Sequence, residues 1–167
     1  MQTSLVVMGV SGCGKTSLAS ALASALQARF IEGDTHHSEA SLAKMREGVA
    51  LTDADRAGWL DRLAAKLQTG GPAVLSCSAL KRAYRDRLRA ASPGLRFVFM
   101  DIARDEALRR VASRGAAHFF STSLVDNQFE TLERPEGEPG VLRVDATAPL
   151  PQLLAEVSNW IRREETA

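Results

Sequence analysis

The chain of 167 residues has only two cysteines, Cys13 and Cys77, no marked excess of either charge and no long apolar run. Two cysteines do not make a disulfide framework and their separation is no metal-ligand spacing, so a reduced, cytoplasmic setting is expected. One stands among glycines and the other ends an apolar stretch, positions where a thiol serves as a small buried filler. A formal net charge of +1 leaves no basic footprint, so no nucleic acid partner is expected. No segment reaches the roughly 18 consecutive apolar residues of a membrane span, which argues against a membrane partner. The N-terminus lacks the basic region of a signal peptide. Missing too are internal repeats, low-complexity tracts and the N-K-x-D motif that reads guanine. What is present is an ordinary globular composition, 45% apolar and 25% charged. The length suits one domain over residues 1–167.

Apolar runs at 4–8, 29–33, 73–77, 96–101 and 141–145 alternate with helical patterns at 15–27, 53–69, 80–91, 104–114, 122–133 and 149–163. The runs are continuous rather than alternating, as in strands covered on both faces. In the helix at 53–69, Asp53 is the expected N-cap, and Trp59, Leu60, Leu63 and Leu67 share one face. Strands alternating with helices specify a parallel sheet with right-handed crossovers, hence a three-layer α/β/α domain. The stretches "TGGP" (69–72), "SPG" (92–94) and "ERPEGEPG" (133–140) punctuate elements rather than link domains.

After the first strand comes "GVSGCGKT" (9–16), which satisfies G-x-x-x-x-G-K-[ST]. Gly9, Gly12 and Gly14 let the backbone close around phosphate oxygens, and the N–H groups of the loop point inward at the start of a helix. Ser11, Cys13 and Ser17 complete the nucleotide-binding stretch. Lys15 can reach the outer phosphates, and the Thr16 hydroxyl can ligate Mg²⁺. The strand before it and the helix after it supply the context that a bare pattern lacks. A regulatory GTPase would need its guanine motif, and a motor more chain. A compact kinase for a small acceptor fits.

The acceptor side begins with "EGDTHH" (32–37) at the C-terminal edge of the second strand, where open α/β sheets bind ligands. Asp34 there can orient a hydroxyl and take its proton, or hold a metal-bound water; alternatively it caps a helix starting near Ser38. His37 is a candidate substrate contact, and His36 a solvated corner. Arg56 in "DADR" can form a bidentate pair with a substrate carboxylate, or a surface pair with Asp53 or Asp55. Ser78 and Lys81 follow the third strand at the same edge; Ser78 could equally cap the next helix, and Lys81 could face substrate or phosphate. Arg82, Arg85, Arg87 and Arg89 read as a solvated helix face, Tyr84 and Trp59 as packing residues. Arg110 and Arg114 lie four apart on one helix face.

Taken together, "GVSGCGKT", "IEGDTHH", "KMREGVALTDADRAGWL" (44–60), "CSALKRAYRDRLR" (77–89) and "HFFSTSLVDNQFETLERP" (118–135) resemble bacterial gluconate kinase, the thermoresistant-type gluconokinase family. The resemblance runs from residue 5 to about residue 151. It implies a P-loop kinase fold with a five-stranded parallel sheet in the order 2-3-1-4-5 and a helical lid at approximately 110–128. It implies phosphorylation of D-gluconate at its 6-hydroxyl by ATP, with Mg²⁺, in a homodimer. Lys15, Asp34 and Arg114 would be catalytic, Arg114 as an internal arginine finger, and Arg110 would stack on adenine. The loop "DATAP" (145–149) would lie on the adenine side. Asp34, His37, Arg56, Ser78, Lys81, His118 and Gln128 would meet the substrate, with lid packing the other role open to His118. The chain departs from the family pattern at Ser38, Ser41, Ala50 and Gly58, and in the spacing of "RGAAHFF". The alternatives are a kinase for another small hydroxy acid such as shikimate, and a non-catalytic ATP-binding regulatory module.

Overall fold

Strand β1 (Leu5–Met8) buries all four of its side chains, as the central strand of a covered sheet must. The computed structural model, which describes residues 1, 3–114 and 122–167, pairs it in parallel with β3 (Ala73–Ser76) on one side and β4 (Arg96–Asp101) on the other. Beyond these lie β2 (Arg29–Glu32) and β5 (Val141–Asp145), giving the expected order β2-β3-β1-β4-β5. The pleat then divides the core. Leu5 and Val7 face α1 (Lys15–Ala25) and α7 (Leu150–Thr166), whereas Val6 and Met8 face α3 (Asp53–Gln68) and α4 (Arg82–Ala91). Two apolar layers, one on each face, make the three-layer α/β/α arrangement. The remaining helices are α2 (Glu39–Arg46), α5 (Arg104–Arg114) and α6 (Thr122–Thr131), the last two packed on one another.

One helix start differs from the sequence expectation, and at two others the structure rules out a capping role that the sequence leaves open. Thr52, not Asp53, caps α3: its hydroxyl accepts from the Asp55 N–H (3.1 Å), and Asp55 accepts from the Thr52 N–H (2.9 Å). That reciprocal capping box satisfies two otherwise orphaned donors and leaves Asp53 in the first turn. Ser38, not Asp34, caps α2 by accepting from the Ser41 N–H (3.1 Å). Ser78 is not a cap either; α4 starts at Arg82, whose N–H is taken by the Glu133 carboxylate (2.9 Å).

Arg85 and Arg89 are not part of a solvated face. The Arg85 side chain is 0% exposed and forms a two-pronged pair with Glu138 (2.9 and 2.6 Å), itself 3% exposed. It also donates to the carbonyls of Ala79 (2.7 Å) and Glu133 (2.8 Å), while Arg89 adds a third contact to Glu138 (3.0 Å). Ala79 has a φ of 47°, a left-handed conformation that disfavours a Cβ, and the guanidinium fixes its carbonyl. The loop after β3 is thereby tied to the stretch 133–138, far away in sequence. Arg82 and Arg87 are exposed as expected.

Removing Glu138 leaves a buried, unpaired guanidinium, so Glu138→Ala should lower unfolding free energy by about 3 kcal/mol in urea denaturation. Arg85, then Arg89, holds the Glu138 carboxyl below its ordinary value. The pair's contribution is therefore complete above the ordinary carboxylate range and fades as pH falls through the lower folded-state value. A variant as stable as the parent at pH 7 would contradict this.

Candidate active site

The phosphate loop is shaped by backbone that side chains would disturb. Gly14 caps α1 with a φ of 93°, and a Cβ on Gly12 would sit 2.9 Å from the Ala107 carbonyl oxygen of α5. Lys15 Nζ donates to the Val10 carbonyl (3.1 Å), the Ser11 N–H to Gln128 Oε1 (2.6 Å), and the Thr16 hydroxyl to Glu32 Oε2 (2.6 Å). Arg110 donates to the carbonyls of Gly12 (3.2 Å) and Ala146 (3.2 Å) and pairs with Glu106 (3.1 Å). It therefore bridges the phosphate loop and the turn after β5, on the side expected to hold adenine. Burial raises the Cys13 thiol and pushes Cys77 up to about 12, so both stay protonated and inert.

The acceptor side is held by α3. After β2 the chain enters a 3-10 turn at Gly33–His36, where a Cβ on Gly33 would collide with the Ser76 carbonyl oxygen of β3. The Trp59 indole N–H donates to the Gly33 carbonyl (2.8 Å), and its ring stacks on His37 with centroids 4.4 Å apart. This pins the turn that carries Asp34. Burial lowers His37 to about 4, against the opposing effect of Asp34, so its ring is neutral at physiological pH. His37 Nδ1 is buried without a hydrogen-bond partner among the described residues. His36 is occupied structurally: its Nδ1 meets the Glu32 carbonyl (2.9 Å) and its own carbonyl accepts from Arg62 (2.7 Å).

One cavity joins the two sides. It is lined by Ser11, Gly12, Gly14, Lys15, Thr16 and Ser17 from the donor loop, and by Asp34, His37, Arg56, Ser78, Arg114 and Gln128 around it. Gly9, Cys13, Lys81 and Arg110 were also expected at the site but do not line this cavity. Cys13 is fully buried behind the loop. Lys81 pairs with Asp53 (2.9 Å) instead of facing substrate or phosphate. His118 and the lid residues 115–121 lie outside the described residues.

Arg56 is 7% exposed, yet the carboxylates that could neutralise it are engaged elsewhere. Asp55 pairs with Lys44 (2.8 Å), and Asp53 with Lys81 and Tyr84. The Arg56 guanidinium itself donates to the Tyr84 hydroxyl (3.4 Å). The alternative of a surface pair is thus closed, and a nearly buried cation faces the cavity.

Sequence reasoning did not single out Glu32, Met45, Ala50, Leu51, Leu124 or Asn127. Glu32 was legible as a second carboxylate two residues before Asp34; the others line the wall only because α2, α3 and α6 converge there. The Thr16 hydroxyl, Glu32 and Asp34 form an all-oxygen set, and no cluster of three or more His, Cys, Asp or Glu gathers among the described residues. That chemistry fits a hard divalent cation held by one or two protein oxygens and by phosphates, rather than by a protein cage.

An AAA domain family matches residues 5–135. The gluconokinase of Gluconobacter oxydans is 42% identical over 165 residues, spanning 96% of this chain and 92% of that protein. The crystal structure of a gluconokinase from Sinorhizobium meliloti has a TM-score of 0.86 and 42% identity, covering 98% of this chain and 97% of that one. A shikimate kinase from Aquifex aeolicus, with a TM-score of 0.57 and 13% identity, shares the fold alone. Identity sustained over nearly the whole length, with the acceptor motifs converging on one cavity beside a phosphate loop, shows that the chain belongs to the gluconokinase family of P-loop kinases.

Proposed function

We propose that the protein transfers the γ-phosphoryl group of ATP to the 6-hydroxyl of D-gluconate, giving 6-phospho-D-gluconate and ADP. Arg56 carries this reading. A guanidinium that is nearly buried and forms no ion pair among the described residues favours an anionic ligand, and its fork matches a carboxylate. With the carboxylate held there, the polyol chain extends along Ser78, His37 and Gln128 toward the donor loop. Neutral His37 offers a donor and an acceptor to hydroxyls without repelling Arg56.

Asp34 orients the terminal hydroxyl and takes its proton as the new O–P bond forms and the bond to the β-phosphate oxygen breaks. Lys15 and Arg114 stabilise the charge on the transferring group. Thr16, with Glu32 and Asp34 close by, is the place for Mg²⁺, which when bound neutralises phosphate charge. Residues near 110–128 act as a lid that excludes water. A cytoplasmic homodimer belongs to the same reading; its support is the motif resemblance and two free, buried thiols.

A coupled ADP-release assay with gluconate, shikimate, other sugar acids or no acceptor separates the alternatives: gluconate should give the highest kcat/KM. ADP release independent of any acceptor would overturn the kinase reading, and preference for another acid would overturn only the substrate. Lys15→Ala and Asp34→Ala should each reduce kcat by at least about a hundredfold while the melting temperature holds. Rates at the parent level in either variant would show the site misassigned. Because His37 is already neutral, the gluconate KM should show no transition near the ordinary histidine value from about pH 6 to 8.

A further inference from the structure

Asp53 stands three residues before Arg56 on α3, the spacing at which an Asp–Arg pair ordinarily forms across a helix turn. Such a pair would neutralise Arg56 from within. It does not form, because Asp53 is engaged twice from α4 and its lead-in. Lys81 Nζ reaches both carboxylate oxygens (2.9 and 3.2 Å), and the Tyr84 hydroxyl donates to Oδ1. A phenol has one proton. With that proton on Asp53, the Tyr84 oxygen turns its lone pairs to Arg56, which donates to it.

The Tyr84 ring stays in place independently of its hydroxyl. It is 6% exposed within the core formed with α3 and Leu88, and the Arg56 and Lys81 cations lie 5.6 and 5.8 Å from its centroid. Its hydroxyl is therefore delivered to one spot between a carboxylate and a guanidinium. The network is robust to pH. The bonds from Tyr84 and then Lys81 lower Asp53, and the bond to Asp53 raises Lys81. Tyr84 itself is raised, first by burial and then by Asp53.

We propose that Tyr84, with Lys81, is a positioning residue for acid recognition: it occupies Asp53 so that this carboxylate does not capture Arg56, which is left for the carboxylate of the substrate. The inference rests on the reading of Arg56 given above. It assigns a role to a residue otherwise explained by packing, and to a lysine that does not line the cavity.

The test is a set of steady-state and calorimetric gluconate titrations on the full chain. Tyr84→Phe removes one oxygen and keeps the ring. It should raise the KM and the dissociation constant for gluconate about fivefold, with kcat within about twofold and the KM for ATP unchanged. Adding Asp53→Asn should bring the gluconate KM back toward the parent value, because an amide cannot capture Arg56 as an ion pair. Lys81→Gln should shift the KM in the same direction as Tyr84→Phe, giving a second route if the phenylalanine variant is unstable.

Arg56→Lys separates the two readings. If it raises the gluconate KM while Tyr84→Phe does not, or if Asp53→Asn gives no rescue, the positioning role is overturned and Arg56 stands as the carboxylate site. If Arg56→Lys leaves the gluconate KM unchanged, the carboxylate reading falls and the positioning role falls with it.

Discussion

A guanidinium held almost out of water, with no ion pair among the described residues, is the constraint around which the acceptor side is arranged. Burying an unpaired charge costs several kcal/mol, and proteins normally avoid it by pairing or hydrogen bonding. Arg56 could have been paired cheaply, since Asp53 and Asp55 stand on the same helix. Lys44 takes Asp55, which also closes the capping box of α3, and Lys81 and Tyr84 take Asp53. Two lysines and the one tyrosine of the chain thus hold the two carboxylates nearest to Arg56 along its helix. An acid that reaches Arg56 relieves a cost already present, which couples binding to the helix that carries the core.

The two halves of the cavity are built by different means. The donor half is largely backbone, a loop whose glycines admit close approach of α5 and which leads into the N-terminus of α1. The acceptor half is made of side chains, and α3 sets most of it. Trp59 holds the Gly33 turn and stacks on His37, while Arg56 stands one turn earlier on the same helix. Leu60, Leu63 and Leu67 lock that helix to the sheet, so the packing that stabilises the domain also places the site. Gln128 joins the halves, reaching from α6 to the Ser11 N–H at the front of the phosphate loop. Lys15 and Thr16 donate here to the Val10 carbonyl and the Glu32 carboxylate, acceptors that a phosphate would displace from Lys15 and a metal from Thr16.

Away from the cavity, Arg85 performs an analogous service for the loop that delivers Ser78. It fixes the strained Ala79 carbonyl and is neutralised by Glu138. The motif "CSALKRAYRD" and the "QFETLERP" stretch are thereby structural partners as well as landmarks of the site. Glu133 caps α4, and its N–H donates to the Leu80 carbonyl (2.7 Å).

Much of this was legible in the sequence. Continuous apolar strands alternating with helical patterns determine a parallel sheet, because only a sheet covered on both faces buries such runs. The glycine loop declares a phosphate site, because few other chemistries need that backbone. The Asp34 turn stands out because it follows a strand at the sheet edge where such folds bind ligands, and Arg56 because its planar fork suits a carboxylate. Partners are a different matter. Helical spacing could not tell that Arg85 is buried and Arg82 exposed, since that depends on Glu138, 53 residues further along the chain. Nor could it send Lys81 to Asp53 rather than to a phosphate, or make Tyr84 more than filler. The sequence by itself determined the elements and the chemistry available. Only the tertiary structure decided which of these charges pair with one another, because pairing depends on the few ångströms between side chains that the packing of α3 against α4 sets.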